Sequence, residues 1–412
     1  MTEVLYSVKI CLEEMKMKKI SALLLALVMV FTLVACGGNN DAPANNTPAN
    51  NASDSNDANN TNTSEPAPST GSDLNVGVFW YAYSDAFLST VRTALDADLA
   101  AAGITYQDYD ANNNQASQLE QVQTAITNGV NVLVVNLVTS GSADAAQQII
   151  QAANGLPVVF FNRAPEGDGE EGTVLGAYDN VCFIGTDAPE AGHLQGKMIG
   201  DFLVENYDSV DLNGDGTISY AMFMGDAANV EAIYRTQYGV EDANAVLTAN
   251  GKPELAYFNA SNSDKYQLDP NGAWSSSAGF DFMSVNLAEY SEANNNMIEL
   301  VIANNDDMAA GAISALENAG YNLGDGACTK IPVFGVDATQ TAQDLIAADK
   351  MTGTVKQDAE GMATAITSVV QAIGGGSDMA DSISSVAGSA DMYSVADGFT
   401  TKLFVAYAPF TA

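Results

Sequence analysis

Side chains able to bind a polyhydroxylated ligand recur just past the short apolar runs of the sequence. Asp85 and Phe87 follow Val76–Trp80, Asn136 lies in Val130–Val138, and Asn162 ends the run that starts at Pro157. Asn304-Asn305-Asp306-Asp307 follows Glu299–Ala303, Asp337 ends the run from Pro332, and Gln357-Asp358 follows Gly353–Lys356. Amide and carboxylate groups make two hydrogen bonds in one plane, which matches vicinal hydroxyls that both donate and accept. Phe87 and Trp274, with Trp80 and Tyr83 in reserve, supply flat faces for the C–H face of a pyranose. A single Asn or Asp is equally an ordinary helix N-cap or turn residue. Their recurrence at successive strand ends is what points to a cleft.

A second group, Asp211-Leu-Asn213-Gly-Asp215-Gly216-Thr217-Ile-Ser219, reads like the first nine positions of a calcium loop. Oxygen side chains fall at positions 1, 3 and 5, a glycine at 6 turns the chain, and Thr217 can offer its carbonyl. Position 12 is Met222 rather than Glu, and Ile218–Met224 reads as a strand, so a complete helix–loop–helix hand is not expected. Covalent and zinc chemistry have little to work with. The chain has one His and four Cys, and no activated Ser or Cys signature. The sole His193, in Ala191-Gly-His-Leu-Gln195, reads as an incidental helix residue. A close carboxylate pair for glycoside hydrolysis stays open on residues alone.

The elements that must position these groups alternate along the body. Strands are expected at Val76–Trp80, Ile104–Asp110, Val130–Val138, Pro157–Asn162, Val181–Asp187, Ile218–Met224, Glu254–Asn259, Glu299–Ala303, Pro332–Asp337 and Gly353–Lys356, with helical patterns between nearly all of them. Phe87, Leu88, Val91, Leu95 and Leu99 fall on one helical face. Continuous apolar strands such as Val132–Val138 fit parallel strands covered on both sides. The fold class is α/β, two doubly wound Rossmann-like lobes, in which ligands bind beyond the carboxyl ends of the strands. At 412 residues the chain fits about two domains plus extra segments. A formal net charge of -37 repels phosphate backbones, so nucleic acid is excluded as a partner and neutral or cationic ligands are compatible.

The first 35 residues read as a signal peptide: a basic Met15–Lys19, an apolar Ile20–Val34, then Ala35-Cys36-Gly37. Small residues before Cys36 match the bacterial lipobox, which makes Cys36 the expected lipidation site. The preceding residues fit such a signal badly, so Met15 or Met17 is the expected start. Residues 36–72, rich in Asn, Ala, Ser, Thr, Asp and Pro, read as a disordered tether behind the lipidated Cys.

From Asn75 onward the chain resembles the galactose/glucose-binding proteins of bacterial ABC sugar importers, type I periplasmic binding proteins. The likeness lies in Val76-Gly-Val, Tyr83-Ser-Asp-Ala-Phe87, Asn136-Leu-Val, Pro157-Val-Val-Phe-Phe-Asn162, Gly185-Thr-Asp187, Asp211–Gly216, Val301-Ile-Ala-Asn-Asn-Asp306, Pro332–Ala338 and Gly353-Thr-Val355, in the family's order. The resemblance implies two lobes joined by a three-stranded hinge and closing on one sugar. Its crossovers place residues 73–162 and 359–402 in the N-terminal lobe, and 163–358 and 403–412 in the C-terminal lobe. It implies Asp85, Phe87 and Asn136 as ligand groups of the first lobe, and Arg235, Trp274, Asn305 and Asp337 as those of the second. The family's binding His, following Asp and last binding Asn fall here on Asn229, Glu231 and Gln357. For the loop it implies a structural Ca²⁺ on Asp211, Asn213, Asp215, Thr217, Ser219 and a distant Glu299. Position nine is a long amide in the family; here it is the shorter Ser219. The expected role is not enzymatic: a monomeric, lipid-anchored extracytoplasmic protein captures galactose or glucose and delivers it to ABC permease subunits. The alternative is a pentose binder that acts as a sensor for a chemoreceptor or histidine kinase. Cys182 and Cys328 are expected in the second lobe, as two buried thiols more than as a disulfide, and Asn259–Asn271 is longer than the family pattern requires.

Overall fold

A computed structural model describes residues 74–167 and 169–412. The signal segment, Cys36 and the tether therefore lie outside the described residues.

The described chain alternates β1 (Asn75–Trp80), α1 (Ala86–Ala101), β2 (Thr105–Asp110), α2 (Gln115–Thr127), β3 (Val132–Val135), α3 (Ala143–Ala153), β4 (Val158–Phe161) and β5 (Val181–Gly185). The second run is α4 (Ala188–Val210), β6 (Ser219–Met224), α5 (Val230–Ala249), β7 (Ala256–Tyr257), β8 (Gln267–Leu268), α6 (Ser276–Glu289), β9 (Leu300–Ala303), α7 (Asp306–Ala319), β10 (Val333–Asp337), α8 (Gln340–Ala347) and β11 (Gly353–Lys356). The chain then returns through α9 (Ala359–Gly374), α10 (Met379–Ala387), β12 (Tyr393–Val395) and β13 (Lys402–Val405), and ends on β14 (Ala408–Thr411).

Two sheets result. The first has the order β12-β13-β5-β4-β3-β1-β2 and the second β14-β11-β10-β9-β6-β7, with β8 also pairing β6. All pairs are parallel except β12–β13 and β11–β14 at the sheet edges. Strands β3, β4 and β9 bury every residue, as parallel strands covered by helices on both faces must. The expected doubly wound, two-lobed α/β architecture is what forms.

The lobe boundaries differ from those expected. Val158 stands beside Val181 and Phe161 beside Ile184, so β5 continues the first sheet and the first crossover comes after it, not after Asn162. Its run Val-Cys-Phe-Ile-Gly is wholly buried, and α9 and α10 pack over it. Residues 403–412, expected in the second lobe, are divided: β13 pairs β5 in the first sheet and β14 pairs β11 in the second. The chain thus passes between lobes at Thr186–Asp187, Gln357–Asp358 and Ala406–Tyr407. Cys182 accordingly sits in the first lobe as a buried free thiol, not in the second, while Cys328 lies half-buried in the second lobe and not buried as expected; the two do not pair.

In the second lobe α4 and α5 pack unusually close. A Cβ on Gly192 would meet the Tyr238 side chain at 2.9 Å, one on Gly196 would meet Asp242 at 2.8 Å, and one on Gly200 would meet Val246 at 2.5 Å. Glycines four apart strip one face of α4 so the backbones can approach. This close pairing fixes the N-terminus of α5, and with it Asn229, Glu231 and Arg235. His193 lies on the outer side of the same pair, 2.7 Å from Asp242 and stacked on Tyr238. Among the described residues no helix is long and apolar enough to cross a membrane.

Candidate functional site

The strand ends of both sheets meet at one cleft between the lobes. It is lined by Asp85, Phe87, Asn162, Arg163, Asn229, Glu231, Arg235, Trp274, Asn305, Asp337 and Gln357. Nine of the ten residues implied as ligand groups stand on this one wall. The lobes touch across it: Arg163 Nη2 lies 3.3 Å from Asp226 Oδ2, and Asn113 Nδ2 donates to the Asn271 carbonyl at 3.2 Å.

The tenth, Asn136, does not line the cleft. It is fully buried, its Nδ2 donates to the Phe161 carbonyl at 3.1 Å and to Asn162 Oδ1 at 3.2 Å, and its Oδ1 accepts from the Tyr81 N–H at 3.4 Å. An amide spent on three protein groups orients Asn162 and Tyr81 from beneath. Reading the sequence alone places Asn162 at the cleft without a ligand role and misses Arg163 as a lining residue. Asn162 was visible as a strand end, and its left-handed backbone (φ 57) turns the chain there. Arg163 was hidden by its solitary position. It donates from Nε to the Leu137 carbonyl at 2.7 Å and from Nη2 to the Val138 carbonyl at 2.9 Å, over the Tyr81 ring.

Several wall residues double as helix caps, which is why they stand where they do. Asp85 Oδ1 accepts from the Leu88 N–H at 2.8 Å and its Oδ2 accepts from the Tyr81 hydroxyl at 2.7 Å. Asn229 Oδ1 caps α5 through the Glu231 and Ala232 N–H groups, which leaves its Nδ2 to donate. Asn305 Oδ1 caps α7 through Met308 N–H, and its Nδ2 donates to the Trp274 carbonyl at 3.0 Å. One side chain can therefore cap a helix and line the cleft at once.

The two rings come from opposite lobes. Phe87 is 7 % exposed and belongs both to the first-lobe core and to the cleft wall. Trp274, although its sequence neighbours are polar, is also 7 % exposed and packs with Met224 and Ala232. One ring face lies on Gly225, where a Cβ would fall 2.7 Å from Trp274 Cε2. Trp274 (φ 55) and Asp337 (φ 123) both hold backbone angles that side-chain-bearing residues rarely adopt, strain that concentrates at working sites.

The polar balance favours a ligand that accepts hydrogen bonds. Arg235 Nε, Trp274 Nε1 and Gln357 Nε2 are buried donors with no partner in the protein. An unmet buried donor costs about 1–3 kcal/mol, so three on one wall point to a bound partner. Arg235 is otherwise held by the Asn304 carbonyl at 2.9 Å, Tyr407 Oη at 2.8 Å, Glu231 Oε2 at 3.2 Å and Gln357 Oε1 at 3.4 Å. Burial works against its charge, and Tyr407, Glu231 and Asp337 outweigh that. Burial lifts the Asp337 carboxyl well above the usual range, opposed by Arg235 and reinforced by Asp306, Asp85 and Asp307. Burial and then the Asp85 charge across the cleft push Asp307 up to about 6.

The loop from Asp211 to Ser219 is closed by Glu299, whose Oε1 accepts from Leu212 and Asn213 N–H and whose Oε2 accepts from Ser219 N–H. Asp211 accepts from Gly214, Asp215 and Gly216 N–H, and Asp215 Oδ1 from Thr217 N–H. Among the described residues no three His, Cys, Asp or Glu side chains converge in metal-ligand geometry. The donors present are oxygen only, as a hard divalent cation requires. Ser219 departs from the set, since its hydroxyl donates to the Met297 carbonyl at 2.7 Å or to Glu299 at 3.1 Å.

Two lobes, three crossovers and a polar cleft with facing rings define a hinged solute-binding protein. The chain belongs to the periplasmic binding protein domain family, whose model matches residues 76–378. It is 32 % identical over 295 residues to the D-galactose/methyl-galactoside binding periplasmic protein MglB of Haemophilus influenzae, covering 71 % of this chain and 80 % of that protein. The fold is similar to an ABC transporter solute binding protein from Clostridium phytofermentans with bound β-D-glucose (TM-score 0.61, 19 % identity, 82 % of this chain and 94 % of that chain). It is also similar to one from Bacillus halodurans with bound myo-inositol (TM-score 0.58, 23 % identity, 82 % and 94 %).

Proposed function

We propose that this protein captures a monosaccharide, galactose or glucose, between its lobes and presents it to the membrane subunits of an ABC permease. The observation that carries this reading is the pairing of Phe87 and Trp274 from opposite lobes around donors that the protein itself leaves unmet. A pyranose presents apolar C–H faces to the rings and a belt of hydroxyls to Asp85, Asn229, Arg235, Asp337 and Gln357. Because both lobes contribute, a ligand binds the closed arrangement better than the open one, and closure follows from that difference. The relative named for galactose and methyl-galactoside supports the same choice. The test is calorimetric titration of residues 73–412 with D-galactose, D-glucose, D-ribose and D-xylose. Micromolar or tighter binding of a hexose is the expected result. Binding of a pentose alone would move the specificity, and silence for all four would refute the reading.

Two further parts of this reading concern how the body is held. Cys36 would carry the lipid that tethers the lobes to the outer face of the membrane. Asp211, Asn213, Asp215, the Thr217 carbonyl and Glu299 would hold a structural Ca²⁺, with charge compensation for the loop as its contribution.

A further inference from the structure

The carboxylate of Glu231 is spent. Its Oε1 accepts from the Thr186 hydroxyl at 2.6 Å, and its Oε2 accepts from Tyr407 Oη at 2.9 Å and Arg235 Nη2 at 3.2 Å. Tyr407 Oη in turn accepts from Arg235 Nη2 at 2.8 Å and lies 3.0 Å from Thr186 Oγ1. Its single proton goes to Glu231, because a charged carboxylate oxygen at 2.9 Å is a stronger acceptor than the neutral Thr186 hydroxyl at 3.0 Å. Thr186 stands on the first crossover, Gln357 on the second and Tyr407 on the third. Gln357 Oε1 accepts from Arg235 Nη2 at 3.4 Å, while its Nε2 is left without a protein partner. One buried guanidinium thus ties together all three connections between the lobes, and all five residues are less than 10 % exposed.

We propose that Glu231, Tyr407 and Thr186 form a hinge clasp: positioning residues that hold Arg235 and set the angle at which the lobes meet. The proposal rests on the reading of the cleft as a sugar site, in which Arg235 and Gln357 touch the ligand. Glu231 then acts on the hinge and not on a sugar hydroxyl. The side chain length supports this. Glu reaches the crossover hydroxyls from the first turn of α5, and Asp, one methylene shorter, would stop about 1.5 Å short of them. The ring is a closed chain of charge-assisted bonds in a buried setting, where removal of one member leaves others unsatisfied. Burial also raises the Tyr407 hydroxyl pKa well above its ordinary value, which keeps it a neutral donor.

The test uses Tyr407→Phe, Thr186→Val and Glu231→Asp in residues 73–412, with two readouts. Small-angle scattering without sugar reads the lobe angle, and D-galactose and D-glucose titrations read binding. The expected result is a larger radius of gyration for all three variants. D-Galactose affinity is expected to fall about tenfold, as loss of one charge-assisted bond implies, with the galactose-to-glucose preference unchanged. Scattering curves that superimpose on wild type would overturn the clasp. So would a changed sugar preference in Tyr407→Phe or Thr186→Val, because that places the network on the ligand. If Tyr407→Phe fails to fold, Thr186→Val removes one bond at nearly constant volume and carries the test. Should neither hexose bind the wild-type protein, the sugar assignment falls, and the scattering still reads the clasp.

Discussion

Gly225→Ala isolates the Trp274 wall without touching any polar group of the cleft. Gly225 is the first residue after β6, and its backbone is not in the left-handed region, so alanine is conformationally allowed. The obstacle is space. The new Cβ would sit 2.7 Å from Trp274 Cε2 and closer to its neighbours in the ring, against an ordinary carbon–carbon separation of about 3.5–4.0 Å. The ring must retreat by about 1 Å or more, and the free direction is the cleft, away from Gly225. Overpacking of this kind costs about 1–3 kcal/mol. In the empty protein the open cleft absorbs the shift. In the closed complex the sugar occupies that space, so the cost falls on binding. At 1.4 kcal/mol per factor of ten, D-galactose should bind about 5- to 150-fold more weakly. The assay is calorimetry, with thermal melting of the sugar-free variant as its control. An affinity within twofold of wild type, in a variant that melts normally, would refute the stacking role of Trp274. A large fall in melting temperature would show instead that the ring is a core element.

Two other outcomes can be measured on the same protein. Asp307, lifted to about 6 by burial and by Asp85, binds its proton more readily folded than unfolded, so its contribution to stability is greatest at low pH and is lost as pH rises through about 6. Melting temperature against pH should therefore fall more steeply between about pH 4 and 6 in wild type than in Asp307→Asn, and parallel curves would refute the assignment. Calcium should raise the melting temperature and terbium should luminesce in the Asp211–Ser219 loop through nearby Tyr207 and Tyr220, whereas Asp215→Ala should abolish both; terbium emission that survives Asp215→Ala would refute the loop assignment.

The alternation of apolar runs and amphipathic stretches made the architecture legible, because parallel strands and their covering helices leave distinct periods in the sequence. Strand β8 and strand β12 were not legible. They are two and three residues long, and such short pairings are dictated by neighbours rather than by local preference. The lobe boundary failed for a related reason. Val181–Gly185 reads the same whichever sheet it joins, and only its pairing with β4 decides. In the cleft, residue type at strand ends placed Asp85, Asn305 and Asp337 on the wall, and at Asp85 and Asn305 the same side chain also caps a helix. It misled at Asn136, whose amide turns inward, since nothing local distinguishes a strand-end amide that faces a cleft from one that supports it. The use of Glu231 was invisible as well. Its partners Thr186 and Tyr407 lie 45 and 176 residues away.

The threading of the first lobe has a consequence for how the protein is made. Its core joins Val76, Val78 and Leu88 to Met362, Ile366, Val369, Ile383 and Val405. One face of its sheet is covered jointly by α1, α9 and α10, and β5 gains its outer neighbour only from β13. While the ribosome is still working through the second lobe, the first therefore has only α1 over that face and lacks the rest of its cover. It remains a loose, non-native body until almost the whole chain has been released, and contacts this distant in sequence form slowly. Late completion of the leading lobe therefore keeps the nascent chain pliable until its last strands have emerged.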